Sequence, residues 1–178
     1  MKAQRAAVPL GRRSAQSAAI AGQLFALPVF QAARTVFCYC SAGDEIDTYP
    51  ILRTALACGK RLCLPRTLEQ GRMQALQVDT LDRLERTARG ILEPAPDSPL
   101  VPPGQIDLSI LPCLAADRQG VRLGYGGGYY DRFLPDCSGV RLALCADARL
   151  FARLPSQAHD VLCDIIVTES QVIYIHEE

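Results

Sequence analysis

The sequence has no excess of charge of either sign. Nineteen lysine and arginine residues balance nineteen aspartate and glutamate residues in a chain of 178, so the formal net charge at neutral pH is +0. General nucleic-acid binders carry a positive field over much of their surface. We therefore expect no nucleic-acid partner, and any anion site must be local.

A continuous apolar run of about 18 residues, which a membrane-spanning helix would need, is also missing. The first residues, Met1 to Arg5 and then Arg12 and Arg13, do not form an apolar segment ahead of a small-residue cleavage site. A secretory signal would show that pattern. We therefore expect no membrane partner and a cytoplasmic location.

Closely paired metal ligands are absent as well. The chain has eight cysteines and two histidines but no Cys-x-x-Cys pair, which argues against a structural zinc site. Cysteine inside an apolar run behaves as a small hydrophobic residue, and a reducing cytoplasm would keep it a thiol. We expect this of Cys38, Cys40, Cys63, Cys145 and Cys163.

What the chain does have is enough apolar sequence for a folded core. Hydrophobic residues make up 49% and charged residues 21%, which excludes global disorder. The length suits one domain of ordinary size, and we assign residues 1–178 to it.

Hydrophobic spacing predicts the first helix over residues 14–27. Its apolar residues recur at i, i+4 and i+7, on one helical face. Ser14 is a candidate N-cap, and Pro28 would end the helix.

A strand–helix–strand unit follows. Thr35–Cys40 is predicted as a buried strand, a helix begins near Thr48 and stops at Gly59, and Arg61–Leu64 is a second strand that ends at Pro65. Such a unit implies parallel pairing with a right-handed crossover. Further strands are predicted at 73–78, 106–111, 140–145, 164–168 and 172–175, with a short helix at 81–88.

Apolar strands that alternate with helices predict an α/β fold: a three-layer, open, mainly parallel sheet with helices on both faces. Ligands of such sheets bind outside the carboxyl ends of the strands. The polar segments after Cys40, Pro65 and Leu111 are therefore the places to search for a site.

The glycine-rich segment Arg122–Tyr130 is the strongest candidate. Four of the five residues from Gly124 to Gly128 are glycine. Without Cβ atoms the backbone can adopt positive φ and let an anion approach its N–H groups. A helix that starts near Tyr129 would add its dipole. Arginines suit phosphate, and Asp131 is an oxygen ligand suited to phosphate-bound magnesium.

A structural interpretation of this segment is a glycine-rich turn. Two familiar nucleotide motifs do not fit. No Gly-Lys-Ser/Thr follows, as a Walker loop would require, and Tyr129 stands where the dinucleotide fingerprint has its third glycine.

The segment Leu111–Asp117, Gly120 and then Arg122–Arg132 (RLGYGGGYYDR) resembles the 5-formyltetrahydrofolate cyclo-ligase family. Shorter pieces agree in order along the chain. They are Tyr39–Ser41, Glu45–Thr48, Leu64–Arg66, Gly90–Pro94, His159-Asp160, Asp164 and Thr168-Glu169.

The resemblance implies an enzyme that converts 5-formyltetrahydrofolate and ATP, with Mg²⁺, to 5,10-methenyltetrahydrofolate, ADP and phosphate, and we expect a monomer. It implies Asp131 and Asp164 as magnesium ligands, and Glu45, Arg122 and Tyr129 as catalytic. The residues that it implies for ATP are Lys2, Arg5, Arg122, Leu123, Gly124, Tyr125, Gly126, Gly127, Gly128, Tyr129 and Tyr130. Those that it implies for folate are Cys40, Glu45, Tyr125, Gly126, Gly127, Gly128 and Tyr129.

The N-terminal segment departs from the family pattern. The family has a basic Lys-x-x-Leu-Arg segment that contacts ATP, and here only Lys2 and Arg5 are available for it. We expect either a start further upstream or another basic residue in its place.

Other interpretations remain open from the residues alone. Glu45 could cap the following helix, Asp164 could mark a strand entrance, and His159 could be structural. A sugar-phosphate isomerase would need a base beside the loop but no ATP. A regulatory nucleotide-binding module would bind ATP without turnover.

Overall fold

A computed structural model describes residues 7–88, 90–157 and 159–175. Lys2 and Arg5 lie outside these residues. The strands are β1 (Thr35–Cys38), β2 (Arg61–Thr67), β3 (Met73–Val78), β4 (Glu85–Arg86), β5 (Leu92–Glu93), β6 (Leu100–Val101), β7 (Leu108–Pro112), β8 (Ala115–Asp117), β9 (Arg122–Leu123), β10 (Val140–Leu144), β11 (Leu150–Phe151), β12 (Ile165–Val167) and β13 (Val172–Tyr174).

The helices are α1 (Leu10–Ala26), α2 (Pro28–Ala32), α3 (Tyr49–Ala57) and α4 (Tyr129–Phe133). Short 3₁₀ helices occupy Glu69–Gly71, Pro103–Gln105, Leu134–Asp136 and Asp147–Arg149. No helix in the described ranges is both long and apolar enough to cross a membrane.

The central sheet has eight strands in the order β13-β12-β10-β7-β1-β2-β3-β6. The middle five, from β12 to β2, are parallel to one another. β13 and β3 flank them in antiparallel pairing, and β6 pairs antiparallel with β3 at the edge. The predicted α/β fold with a large, mainly parallel sheet is therefore confirmed.

The two faces of the sheet are covered differently. Val36 and Cys38 of β1 pack in the cluster that includes the buried residues of α1, α2 and α3. Phe37 points to the opposite cluster, with Phe133 of α4 and Leu134 of the adjoining 3₁₀ helix. Alternate strand residues thus serve alternate faces, and α1, α2 and α3 lie on the same face.

A three-stranded sheet, β11-β8-β9, lies beside the main sheet. After β7 the chain passes through β8 and β9 of this small sheet. The glycines of the glycine-rich segment follow directly after β9, which ends at Leu123. Ala116 of β8 belongs to the same buried cluster as Phe37, so this small sheet is packed against the core.

Local chemistry explains where the predicted elements were wrong. α1 begins at Leu10, so Ser14 is not its N-cap; the Ser14 hydroxyl instead donates to the carbonyl oxygen of Leu10 at 3.1 Å. The predicted helix at 81–88 is wrong. The Thr80 hydroxyl captures the N–H of Asp82 in a turn, which competes with helix formation, and the chain continues into β4.

The second strand also extends beyond its predicted end at Pro65. Pairing of β2 with β1 reaches only to Cys63, whereas β3 pairs with β2 as far as Thr67. Beyond Cys63 the strand has one neighbour, where proline is tolerated.

The five cysteines expected in the core are buried, and Cys58 at the end of α3 is exposed. Burial raises the pKa of the Cys63 and Cys163 thiols to about 12 and that of half-buried Cys137 to about 11. Such thiols remain protonated near neutral pH, and the thiolate is the reactive form.

We expect one fast-reacting thiol per native chain, at Cys58, when a disulfide reagent is added at about pH 8. All eight cysteines should react after denaturation. Cys58→Ser should remove the fast phase. A fast thiol that remains in that variant would contradict the packing described.

Candidate active site

A cavity of about 350 Å³ opens where the carboxyl ends of the parallel strands face α1. Tyr39 follows β1, Cys113 follows β7 and Cys145 follows β10, and all three line it. The volume is within the range of small-molecule sites. The cavity therefore occupies the edge at which open parallel sheets bind ligands.

Arginines from two separate elements line this cavity. Arg12 and Arg13 are on α1, and Gln16 and Ser17 follow one turn later on the same side. Arg149 lies in the 3₁₀ helix that follows β10. The Nε of Arg13 is buried and, in the described part of the chain, has no hydrogen-bond partner. These guanidinium groups make the cavity a candidate anion site.

Glu45 lies where the cavity meets the glycine-rich segment. It lines the cavity, and its Oε1 accepts a hydrogen bond from the Tyr125 hydroxyl at 2.7 Å. Its Oε2 accepts the N–H of Ala42 at 2.9 Å. At the start of α3 the hydrogen-bond acceptor is Asp47, whose Oδ1 accepts the N–H of Tyr49. Glu45 is therefore directed toward the glycine-rich segment and not toward α3.

The segment that carries Glu45 is anchored to its surroundings. Asp47 donates its N–H to the Ser17 hydroxyl of α1 at 2.9 Å. The buried Thr48 hydroxyl donates to the carbonyl oxygen of Tyr39 at 2.8 Å. These bonds fix the segment against both α1 and the end of β1.

The glycines of the candidate loop are used in two ways. Gly126 and Gly128 have φ values of 88° and 63°, which favour glycine. At Gly127 a Cβ would come within 2.7 Å of the Tyr129 ring. Gly128 is the N-cap of α4, so the loop leads directly into a helix, as predicted.

Side chains along this loop differ in exposure. Leu123 and Tyr125 are 40% and 42% exposed, whereas Tyr129 and Tyr130 are partly buried against the core cluster that contains Phe37. A Cβ added at Gly124 would lie 3.6 Å from the guanidinium of Arg122.

Arg122 and Asp131 form an ion pair beneath the loop. Arg122 Nη2 lies 2.8 Å from Asp131 Oδ1, and the two side chains are 3% and 28% exposed. The Arg122 guanidinium also stacks over Tyr130 at 5.3 Å. Since this side chain is buried and paired, its position differs from that of the phosphate ligand we expected. Removing Asp131 would leave a buried charge without its partner.

Asp164 precedes β12 and is held by Arg141 of β10. Its oxygens accept hydrogen bonds from the Arg141 side chain at 2.8 and 3.0 Å, and Oδ2 also accepts the Arg141 N–H at 2.8 Å. The carboxylate pairing raises the pKa of Arg141. Asp131 and Asp164 thus each pair with a different arginine. Across residues 7–88, 90–157 and 159–175, no cluster of three or more His, Cys, Asp or Glu could hold a metal.

Cys40 lies below the cavity. It is 5% exposed, and its thiol donates to the Tyr49 hydroxyl at 3.3 Å. Burial and the neighbouring carboxylates raise its pKa. Its neighbour Tyr39 lines the cavity, as do Pro112 at the end of β7 and Cys113 after it.

Asp117 is a site-forming residue to which the sequence assigned no role of its own. Its carboxylate is 0% exposed. Oδ1 accepts the N–H groups of Gln119 and Val121 at 2.9 Å, and Oδ2 accepts that of Leu154 at 2.8 Å. It therefore shapes the turn between β8 and β9, which delivers the glycine loop.

The sequence interpretation also gave no role to the cavity arginines. In the sequence, Arg12 and Arg13 stand out only as charges that argue against a secretory signal, and Arg149 belongs to no recognisable motif. Only the packing of α1 against the strand ends brings them together.

These features define an α/β protein with a candidate anion site at the carboxyl edge of a parallel sheet. The sequence profile of the 5-formyltetrahydrofolate cyclo-ligase family matches residues 1–169. The chain belongs to that family.

Individual relatives agree with this assignment. The 5-formyltetrahydrofolate cyclo-ligase of Mycolicibacterium smegmatis is 33% identical, with 95% of this chain and 90% of the relative covered. That of Escherichia coli is 30% identical, with 85% and 87% covered. The solution structure of Aquifex aeolicus 5,10-methenyltetrahydrofolate synthetase superposes with a TM-score of 0.88 at 31% identity, covering 98% of this chain and 89% of that one.

Replacement of Asp117 tests the geometry beneath the loop. Asp117→Ala leaves the buried N–H groups of Val121 and Leu154 without an acceptor, at about 1–3 kcal/mol each, and the part-buried N–H of Gln119 as well. We expect the free energy of unfolding, measured with urea, to fall by at least about 2 kcal/mol.

Asp97→Ala is the matched control. Asp97 and its partner Arg83 are 75% and 73% exposed, and such pairs contribute about 0–1 kcal/mol. A loss of under about 1 kcal/mol for Asp117→Ala would show that these bonds do not hold the turn.

Proposed function

We propose that this protein catalyses the ATP-dependent cyclisation of 5-formyltetrahydrofolate to 5,10-methenyltetrahydrofolate, with release of ADP and phosphate. It is thus a ligase, as its family is. The observation that carries the proposal is the junction at Glu45, which lines the arginine-bearing cavity and also accepts a hydrogen bond from Tyr125 of the glycine loop.

The proposed division of the site follows from charge. Arg12, Arg13 and Arg149 hold the phosphates of ATP from the cavity side. The backbone of Gly124–Gly128 offers N–H groups from the other side. Arg12 and Arg13 then take the place of the family's N-terminal basic segment. Arg122 acts from below, by holding Asp131 and the base of the loop.

The reaction needs a leaving group that the formyl group lacks. Attack of the formyl oxygen on the terminal phosphorus of ATP breaks the bond to ADP. N10 of the folate then attacks the formyl carbon, loses its proton and expels phosphate, which closes the ring. The protein's contribution is to position both substrates and to neutralise phosphate charge. Glu45 is placed at the junction, where it would contact the reacting end of the folate.

Magnesium is expected with ATP, where it neutralises phosphate charge. Mg²⁺ in nucleotide sites uses one or two carboxylates together with phosphate oxygens and water. Asp131 fits this role, because it is partly exposed beside the loop. Asp164 fits only if Arg141 releases it, since both of its oxygens accept hydrogen bonds from that residue.

The proposal includes a single cyclo-ligase domain over residues 1–178 that acts as a cytoplasmic monomer. It also includes a relationship of the sheet to Rossmann-like and sugar-phosphate isomerase folds. The order of the parallel strands, with the site at their carboxyl ends, supports that relationship.

The direct test mixes the purified protein with 5-formyltetrahydrofolate, ATP and Mg²⁺ and follows the absorbance of methenyltetrahydrofolate in acid. Product that forms only with ATP is the expected result. Binding of ATP without product would favour a regulatory module. An absence of both would refute the proposed function.

Arg149→Ala should weaken MgATP binding about tenfold or more, since hydrogen bonds to charged groups contribute about 1.5–3 kcal/mol. Affinity for 5-formyltetrahydrofolate should change by less than about twofold. Both constants can be measured by titration calorimetry. Arg83→Ala, at a 73% exposed side chain, is the control, and equal MgATP affinities for the two variants would exclude Arg149 from the site.

Glu45→Ala should act mainly on the folate. We expect the KM for 5-formyltetrahydrofolate to rise about tenfold or more, because a charged contact is lost, and the KM for ATP to rise much less. Tyr174→Phe removes a hydroxyl from a residue that is 43% exposed on an edge strand, and it should change neither constant. An effect of Glu45→Ala confined to the KM for ATP would contradict the assignment.

A further inference from the structure

Glu169 connects two elements that both line the cavity. It lies in the turn after β12, and its Oε1 accepts a hydrogen bond from the Gln16 side-chain amide of α1 at 2.9 Å. Its Oε2 accepts the N–H of Asp147 at 2.8 Å. One half-buried carboxylate therefore spans the gap between α1 and the 3₁₀ helix Asp147–Arg149.

Both elements carry the cavity's arginines. Gln16 is four and three residues after Arg12 and Arg13, so these side chains share one side of α1, and all of them line the cavity. Asp147 begins the short 3₁₀ helix that ends at Arg149. Glu169 is thus hydrogen-bonded both to the helix that carries Arg12 and Arg13 and to the 3₁₀ helix that carries Arg149.

A second contact holds the same 3₁₀ helix. The Ser170 hydroxyl donates to Asp147 Oδ1 at 2.9 Å, so two successive residues of the turn hold Asp147. The turn is itself closed, since the Thr168 N–H donates to the Gln171 carbonyl oxygen at 2.9 Å. Glu169 is therefore presented by a rigid support, as a positioning group requires.

We propose that Glu169 is a positioning residue for ATP: it sets the separation of Arg13 and Arg149 and so the fit of the cavity to a polyphosphate. This inference rests on the proposed function. Both oxygens of Glu169 are satisfied by N–H donors, so its negative charge is directed at protein groups. Preorganised arginines lose less conformational freedom when an anion binds.

The carboxylate is specifically suited to this position. Both partners of Glu169 are donors, and only a carboxylate has two acceptor oxygens. In Glu169→Gln the side chain keeps its size, but its NH₂ group would face either the Gln16 amide or the Asp147 N–H. The Asp147 N–H can only donate, so the amide oxygen stays with it and the NH₂ group faces Gln16. Gln16 can accept from that group only by turning its own amide, so the charge-assisted hydrogen bond that holds α1 is replaced by a weaker, neutral one.

The test measures binding of MgATP and, separately, of 5-formyltetrahydrofolate to the full chain carrying Glu169→Gln, together with kcat and both KM values. We expect about a tenfold rise in the MgATP dissociation constant and in the KM for ATP. The folate constants should change less than about twofold, and kcat at saturation less than about threefold. Glu85→Gln, at a 56% exposed carboxylate, should leave every value unchanged.

A double-mutant cycle with Gln16→Ala adds a second measurement. If Glu169 acts through Gln16, the double variant should bind MgATP only slightly more weakly than either single variant. Fully additive losses would overturn the proposal. So would equal weakening of ATP and folate, or unchanged ATP affinity in Glu169→Gln.

Arg149→Ala separates this inference from the proposed function. Weakened MgATP binding in Arg149→Ala, with none in Glu169→Gln, would leave the phosphate site in place and refute the positioning role. Unchanged MgATP binding in both variants would refute the phosphate site, and the role of Glu169 with it.

Discussion

Parallel pairing of β1, β7 and β10 brings together three strand ends that are far apart in the chain. Register matches Val36 with Leu108 and Leu108 with Val140, so the three strands run side by side and end at one edge. Tyr39, Cys113 and Cys145 meet there only because of that pairing. The cavity, the Glu45 segment and the glycine loop are all built on this edge.

Carboxylates that are paired or fully hydrogen-bonded then set the geometry around the edge. Asp117 collects three N–H groups and shapes the turn ahead of the glycine loop. Asp131 neutralises Arg122 below the loop, and Asp164 holds Arg141 between β10 and β12. A buried charge is tolerated when it is paired or fully hydrogen-bonded. Several charged residues that the family resemblance assigned to ligands therefore also hold the protein together.

The positive charge that faces the cavity comes from elsewhere. Arg12 and Arg13 reach it because α1 packs across the strand ends, and Arg149 reaches it from a short 3₁₀ helix. In the proposed function these three arginines supply the phosphate site. A protein can keep one reaction while the source of a charge changes, since a phosphate responds to the position of a guanidinium and not to its place in the sequence.

The sequence by itself determined the α/β class, the βαβ unit from β1 to β2 and the loop that leads into α4, because hydrophobic period, proline and glycine act locally. It also determined the family, through the residues from Leu111 to Arg132. The tertiary structure alone decided that Glu45 accepts a hydrogen bond from Tyr125. It also decided that Arg122 forms an ion pair with Asp131 and that the three cavity arginines line one cavity. Those outcomes depend on contacts between residues far apart in the chain, which no local pattern encodes. The segment at 81–88 shows the same limit, since pairing of β4 with β5 overrode its helical pattern.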